Sequence, residues 1–223
     1  MITTEMVKQL RETTGAGIME CKNTLSRLGG DFEKAKTELK EKSEMKIETK
    51  AGRITSEGIV DSYIHGNGRI GVLVEVNIET DFAAMNTEFK SLVKDLGMQI
   101  AASNPQYIRR EEIPSMVIDT VREDFRNQAV LTGKPEKLID KIIEGQLEKY
   151  YKQICLMEQT FIKDNEKTVQ DIVNEKIMLI GENITVRRFV RYEMGEGLVK
   201  KDENFSQEVL KQIGNKVNCL LTE

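Results

Sequence analysis

An α+β fold is predicted for this chain of 223 residues: three short helices, then a small antiparallel sheet of three strands packed by helices, with an antiparallel helical hairpin projecting from it. Three observations predict it. Helical periodicity fills Thr3 to about Lys42; two-residue alternation appears in Ile59 to Asn77 and again in Asn183 to Glu193; and two long segments with apolar residues every three or four positions flank the turn Thr132-Gly133-Lys134-Pro135. With 39% hydrophobic residues the chain can build a packed core, and its length suits one large domain or two to three small ones.

Thr3 or Thr4 can cap the first helix, whose Met6, Val7 and Leu10 share a face, and Gly15-Ala16-Gly17 breaks it. The second helix carries Ile18, Cys21, Leu25 and Leu28 and stops at Gly29-Gly30, a natural left-handed cap. Asp31 caps a third helix with Phe32, Ala35 and Leu39 on one face. From Lys40 to Arg53 charges of both signs outnumber apolar residues, which reads as a solvated helix end running into a linker. The chain is therefore divided into a three-helix module over 1–45, a linker over 46–56, a core over 57–197 that includes the helical hairpin at about 115–154, and an amphipathic tail over 198–223.

Ile59 to Asn77 reads as a β-hairpin around Gly66-Asn67-Gly68, with Ile70, Val72, Val74 and Val76 forming one apolar face. Gly66, Gly68 and Gly71 satisfy the GxGxxG spacing of a dinucleotide site, but that motif needs a helix after it and here a strand follows. The glycines are read as a turn, and His65, the only histidine, as a strand-end residue. Thr80-Asp81-Phe82 then sits on a strand-to-helix turn, where a rigid scaffold often holds up functional residues. Two readings are open: Asp81 makes a local turn hydrogen bond and Phe82 packs inward, or the pair carries function on the turn. A helix follows through Leu92, Val93, Leu96 and Ile100. The hairpin pairs Ile118, Val121, Phe125 and Ala129 with Ile139, Ile143, Leu147, Tyr150 and Ile154, its other faces being charged. Thr168 and Asp171 cap another helix that ends at Gly181, and Ile184, Val186 and Val190 mark a third strand, on which Arg187, Arg188 and Arg191 divide between two faces. Phe205, Val209, Ile213, Val217 and Leu220 give the tail one amphipathic helix.

Lys+Arg 33 against Asp+Glu 37 leaves a net charge of -4, so no bulk attraction to nucleic acid is expected and a protein partner suits the chain better. Cys21, Cys155 and Cys219 are far apart, odd in number and without metal-ligand spacing, which fits a reducing, cytoplasmic setting. No apolar run reaches membrane-spanning length. There is no phosphate loop, paired-histidine metal site or nucleophile elbow, so no enzyme and no metal site is expected. A thiol enzyme using Cys21 or Cys155 is the weakest alternative, because both cysteines fall on apolar helical faces.

Thr80-Asp81-Phe82 followed by Asn86, Glu88 and Phe89 resembles the signature of the elongation factor Ts family, the nucleotide-exchange factors of elongation factor Tu. Val7-Lys8-Gln9-Leu10-Arg11, Thr14-Gly15-Ala16-Gly17 and Glu20-Cys21-Lys22 look like the family's amino-terminal module, a three-helix domain of the ubiquitin-associated type. Met98 to Pro105, Gly181-Glu182-Asn183-Ile184 and Gly195-Glu196-Gly197 also resemble the family, so the likeness covers nearly the whole chain. It implies no cofactor and one partner, elongation factor Tu in its GDP form, with magnesium dislocated there by Thr80, Asp81, Phe82 and Ala83. It also implies that the amino-terminal module grips the partner through Arg11, Ile18 and Met19. Core packing is the alternative for Ile18 and Met19, since neighbouring helical residues point about 100 degrees apart. Gln99 stands where some members have histidine, and an uncharged amide speaks against a proton-dependent role. The rival is a nucleic-acid-binding or ubiquitin-like adaptor sharing the three-helix module, which would not need Asp81-Phe82. Longer members carry two hairpin-containing halves; with three strands only, a second copy of the chain, or its arm or tail, would cover the sheet, so a homodimer is one expectation.

Overall fold

The first and third helices start where side-chain capping places them. In α1 (Thr4–Thr14) the Thr3 hydroxyl accepts from the Met6 N–H at 3.2 Å, and in α3 (Phe32–Ala51) the Asp31 carboxylate accepts from the Lys34 N–H at 3.1 Å. With α2 (Ile18–Arg27) they enclose Leu10, Cys21, Leu25, Ala35 and Leu39, all buried. The third helix is longer than the sequence reading has it, running past Lys42 to Ala51. Two causes act together. The Lys- and Glu-rich stretch is made of good helix formers with one-turn ion pairs such as Glu38–Lys42 at 2.7 Å, and Ile47 docks its far end on the main core.

A computed structural model describes residues 2–132 and 135–198. The expected tail helix, from Phe205 to Leu220, and the middle of the turn at Gly133-Lys134 lie outside the described residues. The chain forms two units, Met1–Tyr192 and Glu193–Glu223. In the second, the described residues turn back on themselves, the Glu196 N–H donating to the Glu193 carbonyl at 3.1 Å and the Leu198 N–H to Gly195 at 3.2 Å.

In the first unit, β1 (Glu57–His65) and β2 (Ile70–Ile78) pair antiparallel with Ile59 opposite Val76 and Tyr63 opposite Val72. The predicted face is the buried one: Val72, Val74, Val76 and Ile78 lie in the main core, with Ile59 and Tyr63 beside them. Val60, Ile64 and Leu73 face outward and are exposed. Gly66 to Arg69 form the turn, as the strand after them requires. Gly58 has φ +151, and a Cβ there would lie 2.2 Å from the Val76 carbonyl oxygen, so the hairpin closes only with glycine at this place. A four-residue helix, α4 (Asp81–Ala84), leads into α5 (Thr87–Ser103), which crosses both strands and buries Phe89, Leu92, Leu96 and Ile100. Gly97 permits that crossing, because a Cβ on it would come within 3.0 Å of the Tyr63 Cβ.

The hairpin is α6 (Ser115–Leu131) against α7 (Glu136–Ile154), closed by Ala129, Ile139, Ile143 and Leu147 with Ile118, Val121 and Phe125 alongside. At its root the Arg110 guanidinium pairs with Glu158 and with Glu148, at 2.8 and 2.7 Å to the latter, and lies 4.4 Å from the centre of the Tyr151 ring. After the hairpin comes a small second sheet that the sequence reading lacks, β3 (Thr160–Phe161) with β4 (Asp164–Thr168). Both strands are too short and too polar to show alternation. Gln99, fully buried in α5, fixes this ribbon: its amide nitrogen donates to Gln159, Thr160 and Ser103, and its oxygen accepts from the Ile162 N–H at 2.9 Å. α8 (Val169–Ile180) begins with the predicted capping box of Thr168 and Asp171.

β5 (Ile184–Glu193) completes the three-stranded sheet in the order β1-β2-β5. Ile184 and Val186 enter the core, but the next inward residue is Phe189 rather than Arg188. The alternation therefore slips by one, as at a β-bulge. Arg187 and Arg188 both bind Glu75 of β2, at 2.8 and 2.6 Å, whereas Arg191 donates to the Ala101 carbonyl of α5 at 3.4 Å, so the three arginines divide between two faces but do not alternate.

Candidate partner-docking site

Thr80 leaves β2 in extended conformation and caps α4, its hydroxyl accepting from the Ala83 N–H at 3.2 Å. The helix is anchored beneath by Ala83 and Ala84, both buried, and at its far end by Asn86, whose side chain accepts from the Glu88 N–H at 2.8 Å and opens α5. Phe82 projects from the middle of this fixed turn with 85% of its surface exposed, and Met85, one turn on, is 69% exposed. The local reading of the pair holds for Asp81 and not for Phe82. The Asp81 carboxylate accepts locally from the Phe82 N–H at 2.7 Å, while the Phe82 ring does not pack inward.

Two further turns hold this one. Glu182, between α8 and β5, accepts from the Thr80 N–H at 3.0 Å and from the Thr80 hydroxyl at 2.8 Å. In return Glu79 accepts from the Asn183 N–H at 2.6 Å and stands 3.4 Å from the Arg53 guanidinium. The buried Asn183 amide donates to the Arg53 carbonyl at 3.1 Å and to Ala51 at 3.4 Å, and the Lys50 ammonium donates to the Gly181 carbonyl at 2.7 Å. Partial burial, and then the nearby Arg53 charge, lower the Lys50 pKa below its ordinary value. The end of α3, the β2–α4 turn and the α8–β5 turn thus form one knot. Local sequence does not reveal it, because the two turns are about a hundred positions apart; the one signal is that Gly181-Glu182-Asn183-Ile184 belongs to the family resemblance.

On the three-helix module Arg11, Ile18 and Met19 are all exposed, at the end of α1 and the start of α2. Neither Ile18 nor Met19 is core. Ile18 is the first residue of α2, and the buried stripe begins one turn later at Cys21. Among the described residues no group of three or more His, Cys, Asp or Glu is placed to hold a metal ion, and no helix is long and apolar enough to cross a membrane. Cys21 and Cys155 are buried, and burial pushes the Cys155 thiol up to about 11, far from a reactive thiolate. His65 stacks on Tyr63 at the strand end.

On an α+β fold, then, a turn tied to two other turns holds an aromatic side chain in water. The family follows from the relatives of the chain. The profile of the family described as elongation factor TS matches residues 2–196. Elongation factor Ts of Acetivibrio thermocellus is 60% identical over 213 residues, covering 96% of this chain and 99% of that protein. The same factor from Syntrophomonas wolfei is 57% identical over 96% of this chain and 100% of its own length, and that of Desulforamulus reducens 57% identical over 95% and 98%. The chain belongs to the elongation factor Ts family and is a translation elongation factor.

Proposed function

We propose that this chain is a guanine-nucleotide exchange factor that binds elongation factor Tu in its GDP form and speeds GDP release during the elongation phase of protein synthesis in the cytoplasm. The observation that carries the reading is Phe82, exposed on a turn whose backbone is fixed on both sides. In a nucleotide site the bound magnesium ion is among the largest local charges, and the backbone around it holds the diphosphate. Phe82, inserted between elements of the partner, displaces the backbone that supports the ion, while Thr80, Asp81 and Ala83 set the approach of the ring. Arg11, Ile18 and Met19 grip the partner at a second place. No covalent step is needed. If the factor weakens GDP binding by some ratio, GDP weakens factor binding by the same ratio, and release follows from that linkage. The chain itself needs no cofactor, no nucleic acid and no membrane.

The test is release of labelled GDP from loaded elongation factor Tu. Release accelerates in proportion to the chain added, and excess magnesium slows it. A release rate independent of added chain would remove exchange on this partner as its function.

A further inference from the structure

We propose that Glu182 is the positioning residue of the exchange site: it does not itself touch the partner but sets the direction in which Phe82 points. The proposal rests on the reading of Phe82 given above. A helix of four residues, α4, is a single turn, closed by the Ala84 N–H on the Thr80 carbonyl at 3.1 Å and the Met85 N–H on Asp81 at 3.3 Å, so its orientation must come from outside. Glu182 supplies it. Its two oxygens take both donors of Thr80, the N–H at 3.0 Å and the hydroxyl at 2.8 Å, and that hydroxyl accepts in turn from Ala83 at 3.2 Å. The chain of bonds from Glu182 through Thr80 to Ala83 straddles Phe82 and leaves its backbone little freedom.

Glu182 is itself held in place. Lys50 binds the carbonyl of the preceding residue, Gly181, and the following residue, Asn183, is fixed by Glu79 through its N–H and by the Ala51 and Arg53 carbonyls through its side chain. Two carboxylates are thereby exchanged between the two turns, Glu79 given to Asn183 and Glu182 given to Thr80. Only an ionised carboxylate accepts two hydrogen bonds from Thr80 without offering a donor of its own. An amide at this position loses one of them.

The experiment compares Glu182→Gln with the unaltered chain, each with and without Phe82→Ala, in labelled-GDP release from elongation factor Tu at a chain concentration below saturation. Glu182→Gln is expected to melt cooperatively and to lose about tenfold in exchange, as the loss of a charge-assisted hydrogen bond implies. In the Phe82→Ala background the same change is expected to cost less than about twofold, because a residue that acts only through Phe82 has nothing left to position. A merely structural role would not give that pattern. Unchanged exchange by Glu182→Gln, or an equal loss in both backgrounds, overturns the proposal. If Phe82→Ala alone exchanges normally, the reading of Phe82 fails instead. Positioning is then decided by the fluorine resonance of chain labelled with 4-fluorophenylalanine, assigned by its absence in Phe82→Leu. It shifts or broadens in Glu182→Gln if Glu182 orients the ring, and an unchanged resonance overturns the claim. Should Glu182→Gln not fold, Glu182→Asp, one methylene too short to span both donors, carries the same comparisons.

Discussion

Glu75 on β2 accepts from Arg188 and Arg187, and these two bonds, Arg188's first, hold its carboxyl below the usual carboxylate range. A carboxylate whose native pKa is depressed contributes stability that is complete above its unfolded value and is lost as pH falls through the native one. Glu75→Gln is therefore expected to lower the melting temperature slightly at neutral pH and to leave the difference from the unaltered chain shrinking as pH falls below the ordinary carboxylate range. Melting curves over a pH series check it, and a constant difference down to the acid limit would show that the ion pairs do not contribute. The sequence could not place these arginines, since a one-residue slip in a strand leaves composition and apolar count unchanged and is decided by pairing with β2. Gln99 shows the opposite case. Its lack of charge was legible and spoke against proton chemistry, and the structure gives it four hydrogen-bond partners from one amide, a role that an imidazole, with two ring nitrogens, cannot match group for group.

Among the elements, those with strong periodicity were legible: the caps at Thr3, Asp31 and Thr168, the β1–β2 hairpin with its inward valines, and the pairing of α6 with α7. What local sequence did not carry was length set by distant packing. α3 spans two cores, with Ala35 and Leu39 in the first and Ile47 in the second, and the docking of Ile47 adds to the local helix formers in carrying it to Ala51. A consequence can be measured by truncation. A chain beginning at Ser43 keeps Ile47, Lys50 and Ala51 and is expected to melt as one cooperative unit, whereas a chain beginning at Arg53 loses all three and melts lower. The longer of the two should still bind elongation factor Tu at least ~10-fold more weakly than the full chain, because a second tethered contact acts at high effective concentration. Equal affinity would take Arg11, Ile18 and Met19 out of the interface.

For the molecule as a whole, the same helix that completes the amino-terminal module ends in the knot that holds Phe82, so the two proposed contact surfaces are joined by continuous structure. The candidate site was legible to the extent that Asp81-Phe82 and its flanking residues form a compact motif; that the ring faces water, and that Glu182 and Asn183 hold it there, depended on tertiary structure. Everything in the functional account turns on Phe82 being a contact for the partner and not a part of the core. The direct measurement pairs GDP release from elongation factor Tu with thermal unfolding of Phe82→Ala. The exposed ring contributes nothing to folding but about 1.5 to 3 kcal/mol when buried in a partner, so the melting temperature should stay unchanged while release per folded molecule slows about 10- to 100-fold. A marked fall in melting temperature with normal release per folded molecule would contradict the account and return Phe82 to the core.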